Sequence, residues 1–233
     1  MRNLPILAFF AVSLLHLLGI VLENESLLFI TKPLLMPLLA VWLLTATKRQ
    51  NEYPFSRKAV LGALVFSTLG DVLLMFSGGI FFLLGLTAFL LAHLFYIGAF
   101  SSISNFKNGF LRQNPWWILP FLAFPILLLN FLWNGILGGM KLPVTVYAGI
   151  ISVMALSVLN LKGKVTDSVF WTLLAGAMLF LISDSSLAVA KFGKAFDGAR
   201  LTIMVTYIGG QYLLVRGVVG VLAKYPSNPA DRH

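Results

Sequence analysis

The stretch Phe66-Ser67-Thr68-Leu69-Gly70-Asp71-Val72-Leu73-Leu74-Met75 decides the fold, because it sets one carboxylate inside an apolar run long enough to cross a bilayer. A second stretch, Phe180-Leu181-Ile182-Ser183-Asp184-Ser185-Ser186-Leu187-Ala188, does the same. An ionised acid in hydrocarbon is expensive, so such residues turn to a bundle interior and mark functional sites. The competing account is a polar clamp that pins helices together. The pair points to a site between Asp71 and Asp184.

Working outward, 59% of the 233 residues are hydrophobic and only 11% charged, and the mean hydropathy of +0.92 lies outside the range of ordinary soluble domains. Eight apolar segments follow one another, at about 4–22, 27–46, 58–76, 80–100, 116–134, 142–161, 169–190 and 198–223. They lack the alternation of barrel strands, so the expected fold is all-α. It is a polytopic membrane bundle of eight transmembrane helices forming a single domain over 1–233, with 223–233 as a short tail. No small-residue cleavage site follows the first segment, which therefore reads as a retained span rather than a removed signal peptide.

Basic residues set the orientation. Arg2, Lys48, Arg49, Arg57, Lys58, Lys107, Arg112, Lys162, Lys164, Lys224 and Arg232 fall on one side of an eight-span arrangement, against Lys141, Lys191, Lys194 and Arg200 on the other. This places both termini in the cytoplasm. The same asymmetry accounts for the net charge of +9 without a nucleic-acid partner. The expected location is the bacterial inner membrane, multi-pass.

There is no cysteine, which excludes disulfides and thiolate chemistry. A three-histidine metal site would need His16, His93 and the tail residue His233, so none is expected.

The two acids sit on segments running in the same direction. Gly62-Ala63-Leu64-Val65-Phe66 before Asp71 resembles Gly176-Ala177-Met178-Leu179-Phe180 before Asp184, with the phenylalanine-to-acid spacing differing by one residue. The pattern predicts two four-helix repeats with the acids meeting near the internal axis. Ser77-Gly78-Gly79 is little more than a turn, so the third and fourth segments form a tight antiparallel hairpin.

Several polar residues accompany the acids. Ser67 and Asp71, four apart, share a helix face, and Thr172, Gly176 and Asp184 with Ser183 form a comparable stripe. Both acids fall about 8 to 10 Å of helical rise below the non-cytoplasmic surface. Lys32 opens the second segment as Thr31-Lys32-Pro33, with Pro37 one turn later, and either snorkels to the interface or supplies a cation level with the acids. His93 and Tyr96 share a face of the fourth segment, and Tyr207 and Gln211 share one of the eighth. His93 lies deeper than Asp71 by several residues, so direct contact between the two does not follow from the sequence. His16 reads as a packing residue, Arg216 as a snorkelling one, and Trp116 and Trp117 as an interfacial belt.

Thr31-Lys32-Pro33, Gly70-Asp71-Val72-Leu73-Leu74-Met75, Ala92-His93-Leu94-Phe95-Tyr96, Ser183-Asp184-Ser185 and Tyr207 with Gln211 together resemble the YhhN family, which contains the lysoplasmalogenases. The resemblance implies an eight-helix membrane hydrolase that cleaves the vinyl ether bond of a lysophospholipid. Its products would be a fatty aldehyde and glycerophosphoethanolamine or glycerophosphocholine. Such cleavage needs a carboxylic acid to protonate the alkene carbon and a carboxylate to stabilise the cation or activate water, a division of labour that Asp71 and Asp184 can supply. The sequence does not say which is which. Lys32 would then bias the pair or hold the phosphate, and His93, Tyr96, Tyr207 and Gln211 would orient water and the glycerol backbone, with Ser67 and Ser183 beside them. The scheme requires no cofactor. The rival class is a proton- or cation-coupled transporter using the same two aspartates; a lipid-binding or assembly protein is a third.

Overall fold

Apolar runs in a bilayer must satisfy their own backbone hydrogen bonds, and in this chain they do so as helices. The structure, a computed structural model, describes residues 3–48 and 54–223. Arg2, Arg49, Lys224, Arg232 and His233, with most of the 223–233 tail, lie outside the described residues.

Among the described residues there are nine α-helices and no strand: α1 (Leu4–Val21), α2 (Glu25–Ala46), α3 (Pro54–Leu73), α4 (Gly79–Ile103), α5 (Phe110–Gln113), α6 (Ile118–Leu132), α7 (Gly138–Leu159), α8 (Asp167–Phe192) and α9 (Ala199–Ala223). A 3₁₀ turn, Pro115–Trp117, joins α5 to α6. Seven helical segments are long and apolar enough to cross a membrane: α1, α2, α4, α7, α8, α9 and the continuous stretch Pro115–Leu132 formed by the 3₁₀ turn and α6. The chain is a multi-pass integral membrane protein. α3 carries Arg57 and Lys58 in its first turns and Asp71 near its end, which dilutes its apolar character. It is nevertheless packed between α2 and α4.

Local signals fix the ends. Asn24 caps α2 by accepting a 3.0 Å hydrogen bond from the Leu27 amide. The helix thus begins at Glu25, and Lys32 lies about two turns inside it rather than opening it as the sequence suggested. Gly78, at φ 120°, makes the turn into α4 that a side chain would strain. The hairpin it closes is tight: a Cβ on Gly70 would come within 2.6 Å of the Phe89 ring, and one on Gly85 within 2.8 Å of Leu74. α8 and α9 approach still more closely, backbone on backbone, at Gly176 and Gly210.

Neighbours in sequence are neighbours in space. α1 packs on α2, α2 on α3 and α3 on α4; likewise α6 packs on α7, α7 on α8 and α8 on α9. The two sets join where α4 meets α7 and where α9 meets α1, α2 and α3. The interior is filled by side chains such as Leu39, Ala63, Phe100, Met154 and Phe180, each fully buried. Outward faces remain apolar, with Leu7, Ile30, Ile126, Leu127 and Phe131 exposed where lipid would cover them. Trp116 and Trp117 are likewise exposed, at the start of the α6 span.

Candidate active site

A cavity of about 350 Å³ opens at the end of the bundle where α1, α3 and α8 finish and α2 and α9 begin. Lys32, Asp71, Ser183, Asp184 and Tyr207 all line it. Helix spacing explains how α3 presents its polar residues: Ser67 and Asp71, one turn apart, face Gln211 and Tyr207, one turn apart on α9.

The two acids have different surroundings. Asp71 is 2% exposed. It accepts a 2.7 Å hydrogen bond from the Tyr207 hydroxyl, and the Lys32 ammonium lies 3.9 Å away on its other oxygen. Asp184 is less enclosed, with 12% of its side chain accessible. It accepts a hydrogen bond from the Tyr147 hydroxyl, and His93 Nε2 stands 3.2 Å from the same oxygen and 3.0 Å from the Tyr147 hydroxyl. Charged groups removed from water need such partners to persist.

The remaining expected residues divide. Ser67, Tyr96 and Gln211 are all fully buried. Tyr96 donates to Gln211 at 2.6 Å, and Gln211 donates to Ser67 at 3.0 Å, a chain linking α4, α9 and α3 behind the cavity wall. Ser183 lines the cavity but gives its hydrogen to the Ile203 carbonyl at 3.0 Å, clipping α8 to α9. His93, doubtful as a partner of Asp71, reaches Asp184 instead. Thr172 bonds back to the Ser168 carbonyl and lies outside the cavity, because α8 runs three turns between it and Asp184.

Several residues of the site were missed in the sequence, Tyr147 and His16 among them. Tyr147 stands in the mostly apolar run Val144-Thr145-Val146-Tyr147-Ala148, with no charged or amide side chain in it to mark the tyrosine as part of a site. His16, read as packing, lines the cavity and shares a 2.8 Å hydrogen bond with Thr31. Its position opposite the Thr31-Lys32 pair was the only available signal. Arg216, read as snorkelling, donates to the Tyr212 hydroxyl at 2.9 Å.

Beside the polar cavity lie two apolar ones. One is bounded by Leu86, Val144, Ala188 and Phe192, the other by Phe124, Leu128, Leu129 and Ile151 between α6, α7 and α8. Both share Tyr147 and Asp184 as lining residues, and neither touches Lys32 or Asp71. Asp184 therefore stands at the junction of polar and apolar space. Among the described residues no three His, Cys, Asp or Glu side chains cluster as metal ligands would.

Fold and site together define a helical membrane protein with two carboxylates converging on one polar cavity. The chain belongs to the YhhN family, whose sequence profile matches residues 27–218. It is similar to a Mus musculus protein named lysoplasmalogenase TMEM86B, 36% identical over 154 residues that cover 66% of this chain and 60% of that protein. It is also similar to a Bos taurus protein named lysoplasmalogenase TMEM86A, 30% identical over 194 residues that cover 79% of this chain and 75% of the relative. A Homo sapiens lysoplasmalogenase TMEM86B is 34% identical over 153 residues, 66% of this chain and 60% of its own length. The chain thus spans about 60% of the length of the TMEM86B relatives it matches. No solved structure matches it.

Proposed function

We propose that this protein is a membrane hydrolase that cleaves the vinyl ether bond of lysoplasmalogens, releasing a fatty aldehyde and a glycerophosphoethanolamine or glycerophosphocholine. The observation that carries the reading is the placement of Asp71 and Asp184 in one cavity, one beside a cation and the other at the border of apolar space. The named relatives supply the reaction class.

The reaction divides into steps that the two acids can share. Hydrolysis begins with proton transfer to the alkenyl carbon remote from the ether oxygen, leaving an oxocarbenium ion. That carbon belongs to the hydrocarbon chain, so its proton comes from the acid nearest apolar space, Asp184. Water then adds to the cation and gives up a proton to Asp71, on the polar side. The resulting hemiacetal collapses: its hydroxyl proton passes to the glycerol oxygen, the carbon–oxygen bond breaks, and the aldehyde leaves through the apolar cavity between α6, α7 and α8. A proton returned from Asp71 to Asp184 through the cavity closes the cycle, so that one water is consumed for each bond broken. Tyr147 and His93 hold Asp184 in position, and Tyr207 and Lys32 hold Asp71.

In this reading α3 is an eighth span, the whole chain is one transmembrane domain with both termini in the cytoplasm, and the protein resides in a bacterial inner membrane. The cavity mouth then faces the outer side.

The test is aldehyde release from an alkenyl lysophosphoethanolamine by purified protein in detergent, beside folded Asp71→Asn and Asp184→Asn variants. Release by the wild type and a loss of at least about 100-fold in both variants is the expected result. No release from folded wild type sinks the proposal, and substrate uptake into sealed vesicles would then test the transporter reading.

A further inference from the structure

The mouth of the cavity carries three charged residues that the catalytic scheme does not use. Glu25 on α2 and Arg200 on α9 form a bidentate ion pair, at 2.7 and 3.1 Å, in which both side chains stay mostly exposed. Lys191 on α8 lies over the Phe82 ring, its ammonium 4.9 Å from the ring centre. All three line the same cavity as the two aspartates.

We propose that this rim is a recognition site for a zwitterionic lipid head group, in which Arg200 and Lys191 bind the phosphate and Glu25 binds the ammonium. The assignment rests on the lysolipid reading of the cavity and adds the group that selects among lysolipids.

Position supports it. Lys191 is two helical turns beyond Asp184 on the same stripe of α8, which separates them by about 10 Å along the axis. In a lysolipid the phosphate is joined to the ether oxygen through the three glycerol carbons, so a phosphate at Lys191 leaves the vinyl ether hanging toward the acids. The chain beyond it then enters the apolar cavity between α6, α7 and α8 that Asp184 also borders.

Charge supports it as well. A bare phosphate monoester would meet Glu25 beside Arg200 and be repelled by it. A head group bearing both signs exchanges one ion pair for two, phosphate with Arg200 and ammonium with Glu25, and leaves no charge alone. The pair it displaces is exposed and contributes little to the fold. Charge-assisted hydrogen bonds from a planar guanidinium suit a phosphate well.

The experiment measures binding rather than turnover. Saturated alkyl ether lysolipids cannot undergo the reaction, and three with the same chain are titrated into the full-length protein in detergent, followed by tryptophan fluorescence. Their heads are phosphoethanolamine, plain phosphate and none. Wild type is expected to prefer them in that order. Glu25→Gln should weaken binding of the phosphoethanolamine lipid by about tenfold and leave the plain phosphate lipid unweakened. Lys191→Gln should weaken both phosphate-bearing lipids alike. Inorganic phosphate at equal concentration should displace none of the zwitterionic lipid. Equal affinity for all three heads, a uniform effect of Glu25→Gln, or displacement by inorganic phosphate overturns the assignment. The selective binding pattern without aldehyde from the corresponding vinyl ether lipid sinks the hydrolase reading and leaves the head-group site standing.

Discussion

Tyr207 on α9 reaches Asp71 on α3 at 2.7 Å, across a junction between the two halves of the bundle. His93 on α4 reaches Asp184 on α8 in the corresponding way. In each case the helix that follows one acid-bearing helix supports the acid on the other. Tyr207→Phe deletes a buried donor and should destabilise the protein by about 1–3 kcal/mol. It should also lower the rate of aldehyde release about tenfold or more. Denaturant unfolding and a kinetic assay measure the two separately. A wild-type rate in Tyr207→Phe would remove this residue from the site.

His93 and Tyr147 share one oxygen of Asp184. Because they hold the acid as a unit, their effects should not add. His93→Gln and Tyr147→Phe are each expected to depress kcat by about 10-fold to 100-fold with little change in KM. The double variant should be scarcely worse than the worse single one. Fully additive losses would show that the two act independently.

Lys32 places its ammonium beside Asp71 with only 18% of the side chain accessible. Lys32→Met leaves that carboxylate without its cation, and the expected outcome is a fall in turnover larger than any fall in thermal stability. Lys32→Arg should restore part of it. If Lys32→Met turned over lipid like wild type, the lysine would be a snorkelling residue after all.

Tyr96 and Gln211 behave differently in this account, since their hydrogen bond lies behind the cavity wall. Tyr96→Phe leaves the Gln211 carbonyl oxygen buried without its donor, at a cost of about 1–3 kcal/mol. Turnover per folded molecule should stay unchanged. A selective loss of activity at full stability would move Tyr96 into the reacting site.

Two glycines offer a packing test. A Cβ on Gly176 would lie 2.8 Å from the Leu214 backbone nitrogen, which cannot yield, whereas one on Gly149 meets nothing within 4 Å. Gly176→Ala is expected to lower the melting temperature and the yield of folded protein. Gly149→Ala should be neutral, or stabilising by up to about 1 kcal/mol as helical glycine is replaced. Equal behaviour of the two would contradict the close approach of α8 and α9.

What could be read from the sequence follows from what is expensive in a membrane. Asp71, Asp184 and Lys32 stood out because a charge in an apolar run needs a reason, and the long helices because their backbones have no other partner. His16 and Tyr147 did not stand out, since a lone amphipathic side chain in a span packs as readily as it bonds. Lys32 reads in the sequence as opening α2, whereas the Asn24 cap starts the helix at Glu25, two residues before the apolar segment begins. The short α5 and the loop before it are held by long-range bonds: the Asn160 side chain accepts from the Leu111 amide at 3.1 Å and donates to the Asn105 carbonyl at 3.1 Å. No local periodicity announces such a contact.

The crossed support of the two acids has a consequence for how small this protein can be made. The segment from α1 to α4 contains Asp71 but lacks the tyrosine that holds it, and the segment from α6 to α9 contains Asp184 but lacks the histidine. Cut between Ser104 and Pro115, the chain would yield two fragments, each with a carboxylate and neither with a finished centre. Activity would reside only in their reunion, so the indivisible unit is the interface between the halves rather than either bundle.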